Sequence, residues 1–211
     1  FRAGCENMDL AILEATGVQR PSLLVVPTAA ANENPLEAAS NGVAYFSELG
    51  AEGSVLMVLG AAQANDDTLL EPVNTADVIY FTGGDPIHLL NTLMGSLLLQ
   101  KMKEALGRGA ILAGSSAGAM VMGPWMWFRG WRPAIGLAAN VVTIPHHENS
   151  DPGDVYRELV SSDLSNITVL GIDSGSCCLG GPVEWEILGA GWVTAYTPGH
   201  CRRFGSGDTL T

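Results

Sequence analysis

The sequence predicts an α/β fold: a mainly parallel sheet with helices on both faces, followed by short antiparallel strands in the C-terminal part. Three observations predict it. Short apolar runs alternate with helical patterns through the first half of the chain. Glycine-rich turns follow two of the predicted strands. Closely spaced short strands with glycine-containing turns fill the last part of the chain.

The first half contains four predicted strands, at 22–29, 54–60, 76–84 and 109–115. A helix is predicted over 34–49, where Asn34 would cap a helix that starts with a proline. A second helical region covers 85–106, with a break near Gly95. Strand, helix, strand at this spacing implies right-handed crossovers and a mainly parallel sheet.

The second half begins with a predicted strand at 140–147 and a helix at 151–162. Four short strands are then predicted, at 166–173, 176–181, 184–191 and 192–199. The chain shows no internal repeat, linker or low-complexity segment, so one domain over 1–211 is expected.

Composition and charge exclude several classes of protein. The net charge of −12 and the absence of a basic block argue against a nucleic-acid partner. No apolar run is long enough to cross a bilayer, so no membrane association is predicted. The four cysteines form no zinc spacing and indicate a reducing, cytoplasmic setting. Neither a cofactor nor a metal is predicted.

Small residues crowd the segment ILAGSSAGAMVMG at 111–123, which fits the pattern G-x-S-x-G with Ser116 at its centre. A nucleophile elbow strains the backbone, and small neighbours tolerate that strain while the serine hydroxyl stays exposed. A helix after the turn would direct amide groups at a developing oxyanion. The same cluster of small residues is also found where a helix packs close to a sheet, so both interpretations stay open.

The loop TGGDP follows the third predicted strand, and in a parallel sheet such loops line the ligand-binding edge. Glycines at 83 and 84 would let a backbone amide approach a reacting oxygen. An oxyanion hole is therefore predicted from a backbone amide at Gly83 or Gly84 together with the amide of Ala117, and Gly83 and Asp85 are expected to contact the substrate. Asp85 also fits an N-cap before Pro86, and both roles are compatible.

A nucleophilic serine needs a base, and the chain has four histidines. His146 and His147 directly follow a strand, in a loop that could face Ser116. His88 lies in an apolar helix and is expected to pack or to reach the surface. The His-His-Glu run at 146–148 could instead bind a metal, but no third spaced ligand group accompanies it.

Several segments, in this order, resemble the family of serine peptidases that contains aspartyl dipeptidase (peptidase E) and cyanophycinase. They are VVPTAA (25–30), VIYFTGGDPIHLLNTL (78–93), GSSAGA (114–119), IPHHEN (144–149), VLGIDSG (169–175) and WEILGAGWVTAY (185–196). The resemblance implies a flavodoxin-like sheet related to the class I glutamine amidotransferase fold. It also implies a first strand that would precede Phe1.

The resemblance implies that Ser116 is the nucleophile, that His146 is the general base, and that Gly84 and Ala117 supply the oxyanion amides. The family includes dipeptidases that prefer an N-terminal aspartate and enzymes that cleave cyanophycin. A small peptide is therefore the expected substrate.

One position departs from the family's pattern. The family places a glutamate, the acidic partner of the histidine, where this chain has Ser174. Asp173 is adjacent but would face the other side of a strand unless the backbone turns there. Glu148 is another candidate, and Ser174 itself could accept the imidazole hydrogen bond. His147 is expected to be a pocket or packing residue.

Three functions compete on this sequence. The first is a serine peptidase of dipeptidase or exopeptidase type. The second is an α/β-hydrolase-type esterase with Ser116, Asp173 and His200 in that chain order. The third is a binding domain that has lost its catalytic triad. Tryptophans 125, 127 and 131 could border the pocket, pack in the core or contact a second copy, and a homodimer is possible.

Overall fold

The computed structural model describes residues 4–162, 164, 166–181 and 183–211. The internal contacts of the chain define two compact units. The first is Asp9–Ala119, and the second is Met120–Thr211 together with residues 4–8. The expectation of a single domain stays a prediction.

The first unit contains a four-stranded sheet in which every neighbouring pair is parallel, in the order β2-β1-β3-β4. The strands are β1 (Ser22–Val26), β2 (Glu52–Val55), β3 (Val78–Phe81) and β4 (Ile111–Gly114). β3 is buried along its whole length, as expected of a central parallel strand. Phe81 pairs with Gly114, so β3 and β4 end side by side and their following loops are neighbours.

Helices flank this sheet, as predicted. The predicted helices are α2 (Pro35–Glu48), α3 (Pro86–Leu93) and α4 (Leu97–Gly107), and a further helix, α1 (Glu6–Glu14), is not predicted from the sequence. Asn34 caps α2, its side chain accepting from the Glu37 amide, as predicted. The expected break near Gly95 separates α3 from α4, and Ser96 caps α4 through the amide of Leu99.

The predicted strands of the first half are shorter in the structure than the sequence suggests, and the first two show the reason. The first ends at Val26, and Thr28–Ala30 forms a 3₁₀ turn. The second was expected at 54–60 but ends at Val55: the Val58 amide donates to Leu56 O at 2.8 Å, which turns the chain. Leu56 and Val58 are buried, so these apolar side chains serve the core without extending the strand.

The remaining elements are α5 (Ala117–Met120), β5 (Trp125–Trp127), β6 (Trp131–Pro133), β7 (Val141–Pro145), α6 (Pro152–Ser161), β8 (Thr168–Ile172), β9 (Ser176–Gly180), β10 (Trp185–Gly189), β11 (Val193–Thr197), β12 (His200–Phe204) and β13 (Thr209–Leu210). Further 3₁₀ turns cover Gln63–Asn65, Glu71–Asn74 and His147–Asn149. One sheet has the order β12-β11-β8-β7, in which only the β7–β8 pair is parallel. The antiparallel sheet β13-β10-β9 and the β5–β6 hairpin complete the unit. The predicted antiparallel C-terminal strands are confirmed.

Alternate residues of β8 and β11 enter two different cores, because side chains along a strand point to opposite faces. Leu170 and Val193 pack with Ile187 of β10. Val169 and Tyr196 pack with α6 and with the three tryptophans of the β5–β6 hairpin. This sheet is therefore covered on both faces. Among the described residues, no helix is long and apolar enough to span a membrane.

Candidate active site

Ser116 lies in the sharp turn between β4 and α5, in the left-handed conformation at φ 49°. Residues other than glycine rarely adopt this backbone conformation, which costs them roughly 1–2 kcal/mol. The turn is closed by the Gly118 amide, which donates to Ser115 O at 2.9 Å, and by the Ala119 amide, which donates to Ser116 O at 3.0 Å. The backbone is thus strained at the serine itself, as in a nucleophile elbow.

The two glycines of the G-x-S-x-G pattern are required by close backbone contacts. A Cβ atom on Gly114 would lie 2.5 Å from the carbonyl carbon of Gly118. A Cβ atom on Gly118 would lie 2.5 Å from the carbonyl oxygen of Phe81 in β3. Nothing larger than hydrogen fits at either position, so the small residues permit a turn that presses against the neighbouring strand.

The loop after β3 lies directly against the serine. A Cβ atom on Gly83 would lie 3.3 Å from Ser116 Cβ and 3.8 Å from Ser116 Oγ. Gly84 has φ 137°, and a Cβ atom on it would lie 2.2 Å from Ala29 O, so only glycine is accommodated. The structure therefore brings the TGGDP loop and the Ser116 turn together, as expected from neighbouring parallel strands.

The other residues predicted beside the serine differ in their surroundings. Ala117 is fully buried at the start of α5. α5 is only four residues long, so the helix expected after the serine cannot supply much of a macrodipole. Asp85 caps α3, its carboxylate accepting from the amides of Ile87 and His88, while its own amide donates to Ala29 O. The capping interpretation of Asp85 is thus the one observed.

A shallow polar cleft opens beside these loops within the first unit. Its lining includes Thr82, Gly83 and Ser115 from the loops beside the serine, and Glu33, Asn34 and Glu37. The amide nitrogen of Asn34 donates to Glu37 Oε2 at 2.6 Å. Two carboxylates border the cleft, so its electrostatic potential favours a positively charged group.

His146 belongs to the second unit and lies immediately after β7, also in the left-handed conformation, at φ 55°. Its ring Nδ1 lies 3.2 Å from Ser174 Oγ. Ser174 follows β8, which pairs in parallel with β7, so the two residues come from adjacent strand ends. The ring is exposed.

Glu148 holds Ser174 through both carboxylate oxygens. The Ser174 hydroxyl donates to Glu148 Oε1 at 2.6 Å, and the Ser174 amide donates to Glu148 Oε2 at 2.9 Å. The hydrogen bond from this hydroxyl is the main cause that holds the pKa of Glu148 below its ordinary value. The structure therefore links a carboxylate to His146 through a serine.

Asp173 lies where the chain leaves the strand: β8 ends at Ile172 and a turn leads into β9. The backbone therefore turns at this point, yet the carboxylate contacts His147 and not His146. Asp173 Oδ1 lies 3.5 Å from His147 Nδ1, while Oδ2 accepts from the Trp192 amide at 3.3 Å and lies 3.8 Å from an Arg203 nitrogen.

His147 is a buried packing residue with 6% of its surface exposed. Its Nε2 lies 2.7 Å from the hydroxyl of Tyr196. Burial raises the pKa of Tyr196 to about 12, so this phenol keeps its proton. A Cβ atom on Gly171 would lie 2.3 Å from the His147 ring, so the ring rests on bare backbone. No pattern in the sequence predicts the roles of Tyr196 and Gly171.

The other two histidines have local partners. His88 Nε2 lies 2.8 Å from Leu59 O, within the first unit. His200 begins β12, is exposed, and its Nδ1 lies 3.2 Å from Gly199 O. Within the described parts of the chain, no three His, Cys, Asp or Glu side chains are arranged to hold a metal ion.

Cyanophycinases are among the known proteins that are similar to this chain. Cyanophycinase of Geminocystis herdmanii is 27% identical over 187 residues, covering 82% of this chain and 68% of the relative. Cyanophycinase of Trichormus variabilis is 24% identical over 197 residues, covering 86% of this chain and 65% of the relative. The chain thus spans about two thirds of the length of these curated relatives.

The crystal structure of a peptidase from an acI-B1 Actinobacterium superimposes with a TM-score of 0.86 at 27% identity. The match covers 99% of this chain and 91% of that one, which confirms the predicted fold. The sequence profile of peptidase family S51 matches residues 3–179, most of the chain. The chain therefore belongs to peptidase family S51, a family of serine-type peptidases, as the sequence predicts.

Proposed function

We propose that the protein is a serine peptidase that hydrolyses small peptides, of dipeptidase or exopeptidase type, with Ser116 as nucleophile and His146 as general base. The observation that carries the proposal is the conformation of Ser116. A serine held at φ 49° between two glycines that no other residue can replace supports a nucleophile elbow at this turn. Strain of this kind is retained where function needs it.

The proposed reaction follows the general course of acyl transfer to serine. His146 Nε2 takes the hydroxyl proton of Ser116 as Oγ attacks the scissile carbonyl. The backbone amides of Gly84 and Ala117 are the proposed donors to the resulting oxyanion. His146 then passes the proton to the departing amine, and a water molecule, activated in the same way, hydrolyses the acyl-serine.

The cleft beside Gly83 and Ser115 supports a substrate with a positive charge near the scissile bond. Glu33 and Glu37 are two carboxylates at its border. A free α-amino group is the cation that every unmodified peptide carries, so the cleft favours cleavage close to an N-terminus. The relatives named cyanophycinase make cyanophycin a further substrate to include in any panel.

The esterase alternative is less well supported. It requires Asp173 to orient His200, but Asp173 directs its oxygens at His147, Trp192 and Arg203. The binding-domain alternative rests on the departure at Ser174. The contact of Ser174 with both His146 and Glu148 weakens it, because a carboxylate remains connected to the histidine.

The proposal is tested by hydrolysis of a panel of dipeptides, short peptides and cyanophycin, each peptide with and without N-terminal acetylation. We expect hydrolysis of unblocked peptides and a large rise in KM on acetylation. Ser116→Ala and His146→Ala should each lower kcat/KM by roughly 10³-fold or more, since an unactivated serine is a poor nucleophile.

His200→Ala is the matched control and should retain most of the activity, and Ser115→Ala should retain some of it. Full activity of the His146→Ala variant, together with no activity of the His200→Ala variant, would favour the esterase. If the folded parent hydrolyses nothing on the panel, the peptidase proposal fails and the binding-domain alternative stands.

A further inference from the structure

This inference rests on the proposed function and concerns the group that supports His146. We propose that Glu148 is the acid of the site and that it acts on His146 through the hydroxyl of Ser174, as a positioning residue. The three side chains form a continuous hydrogen-bonded chain within the second unit. His146 Nδ1 lies 3.2 Å from Ser174 Oγ, which lies 2.6 Å from Glu148 Oε1.

The direction of each hydrogen bond follows from counting protons. A serine hydroxyl has one hydrogen to donate and two lone pairs that accept. Ionised Glu148 can only accept, so the Ser174 hydrogen is used in the bond to Oε1. Ser174 Oγ can then only accept from His146, and Nδ1 must carry the imidazole hydrogen. Nε2 is left with its lone pair, as a general base requires.

Glu148 is well held for this task. Its second oxygen accepts the Ser174 amide at 2.9 Å, so the carboxylate grips one residue at two points. Hydrogen bonds to an ionised acceptor are shorter and stronger than neutral ones, which fits the 2.6 Å contact. The hydrogen bond from Ser174 keeps the pKa of Glu148 below its ordinary value, so the carboxylate is ionised throughout the neutral range.

The carboxylate also bears on the charge of His146. The positive charge of the imidazolium is one of the causes that lower the pKa of Glu148, so the two charges attract each other. The Ser174 hydroxyl separates the two charges, and Glu148 is exposed, so water screens the attraction between them. The effect on rate should therefore be smaller than that of a carboxylate in direct contact with the histidine.

The first experiment compares Glu148→Gln with the parent on the best peptide substrate. Glutamine keeps the size of the side chain and removes its charge. We expect kcat to fall about 10- to 100-fold with little change in KM, less than the ~10⁴-fold loss known for a carboxylate in direct contact.

Glu158→Gln is the matched control, since Glu158 is an exposed glutamate on α6 of the same unit. It should leave the rate unchanged. Equal behaviour of Glu148→Gln and Glu158→Gln would overturn the proposal.

A double-mutant cycle tests whether the effect passes through Ser174. Ser174→Ala should lose about as much rate as Glu148→Gln. The double variant Glu148→Gln/Ser174→Ala should lose little more than either single variant. Glu148→Gln/Ser174→Glu places a carboxylate beside His146 and should regain the lost rate, which also shows that the variants are folded. Additive losses, or no recovery, would contradict a serine-mediated path.

The tautomer of His146 gives a readout that does not depend on hydrolysis. Nitrogen chemical shifts of His146 should show hydrogen on Nδ1 in the parent and a shift towards the Nε2–H form in Ser174→Ala. A parent with hydrogen mainly on Nε2 would overturn the inference even in an active enzyme. A parent with the Nδ1–H form but no hydrolysis would instead overturn the proposed function and leave the hydrogen-bonded chain in place.

Discussion

At the scale of single residues, backbone strain lies at the two residues proposed to carry the chemistry. Ser116 and His146 both have positive φ, and among the described residues only Arg129 and Asn140 share this property without being glycine. Such strain persists only where surrounding contacts impose it, and it concentrates at functional sites. The contacts that impose the strain on Ser116 are the close approaches of neighbouring backbone atoms to Gly114 and Gly118.

The strain at Ser116 predicts a gain of stability when it is relieved. Ser116→Gly should raise the free energy of unfolding by about 0.5–1 kcal/mol, because glycine adopts positive φ without steric cost. Ser116→Ala keeps a Cβ atom and should not show this gain, although both variants lose activity. Denaturant unfolding of the two variants beside the parent measures the difference.

Ser115→Gly is the control for the chain entropy of glycine, since Ser115 does not share the positive φ of its neighbour. It should be neutral or destabilising. A Ser116→Gly variant less stable than Ser116→Ala would show that the turn is not strained at this residue.

At the scale of elements, the proposed site residues of each unit lie on loops that leave neighbouring strand ends. The loop after β3 meets the turn after β4, and the residue after β7 meets the turn after β8. Parallel pairing places the carboxyl ends of two strands at one edge, so residues far apart in sequence become neighbours.

The Trp127–Trp131 pair of the β5–β6 hairpin stacks, and this hairpin packs on a core.

The approach of the Ser116 turn to β3 makes a sharp prediction about Gly118. Gly118→Ala should destabilise the protein by more than about 2 kcal/mol, because its Cβ atom would lie 2.5 Å from Phe81 O and the backbone must shift. Gly107→Ala, at the end of α4 with open space around it, should be neutral or stabilising. Thermal unfolding compares the stability of the Gly118→Ala and Gly107→Ala variants. Equal stability would mean that the backbone of β3 shifts at little cost in free energy.

The sequence predicts these loops to different extents. Ser116 and the TGGDP loop stand out because glycine and serine patterns report backbone geometry directly. The turn after β8 does not, since Asp173 belongs to a predicted strand that in fact ends at Ile172. Which carboxylate meets which histidine depends on side-chain directions at that turn: Asp173 meets His147, and Ser174 joins His146 to Glu148.

At the scale of the whole molecule, the alternation of strands and helices predicts the parallel sheet well, because both the apolar runs and the caps mark it. α1, the β5–β6 hairpin, β12 and β13 are not predicted. β12 contains exposed charged residues such as Arg202 and Arg203, so it lacks the apolar pattern of a strand. Its place beside β11 is set by tertiary pairing.

Covalent labelling shows whether Ser116 is a reactive nucleophile. The protein is treated with a serine-directed organophosphonate, digested and analysed by mass spectrometry. If Ser116 is the nucleophile, we expect one adduct, on Ser116, in both the parent and the Ser115→Ala variant. The adduct should be absent from Ser116→Ala and should form much more slowly in His146→Ala. A folded parent that takes up no label, or an adduct that persists in Ser116→Ala, would contradict it.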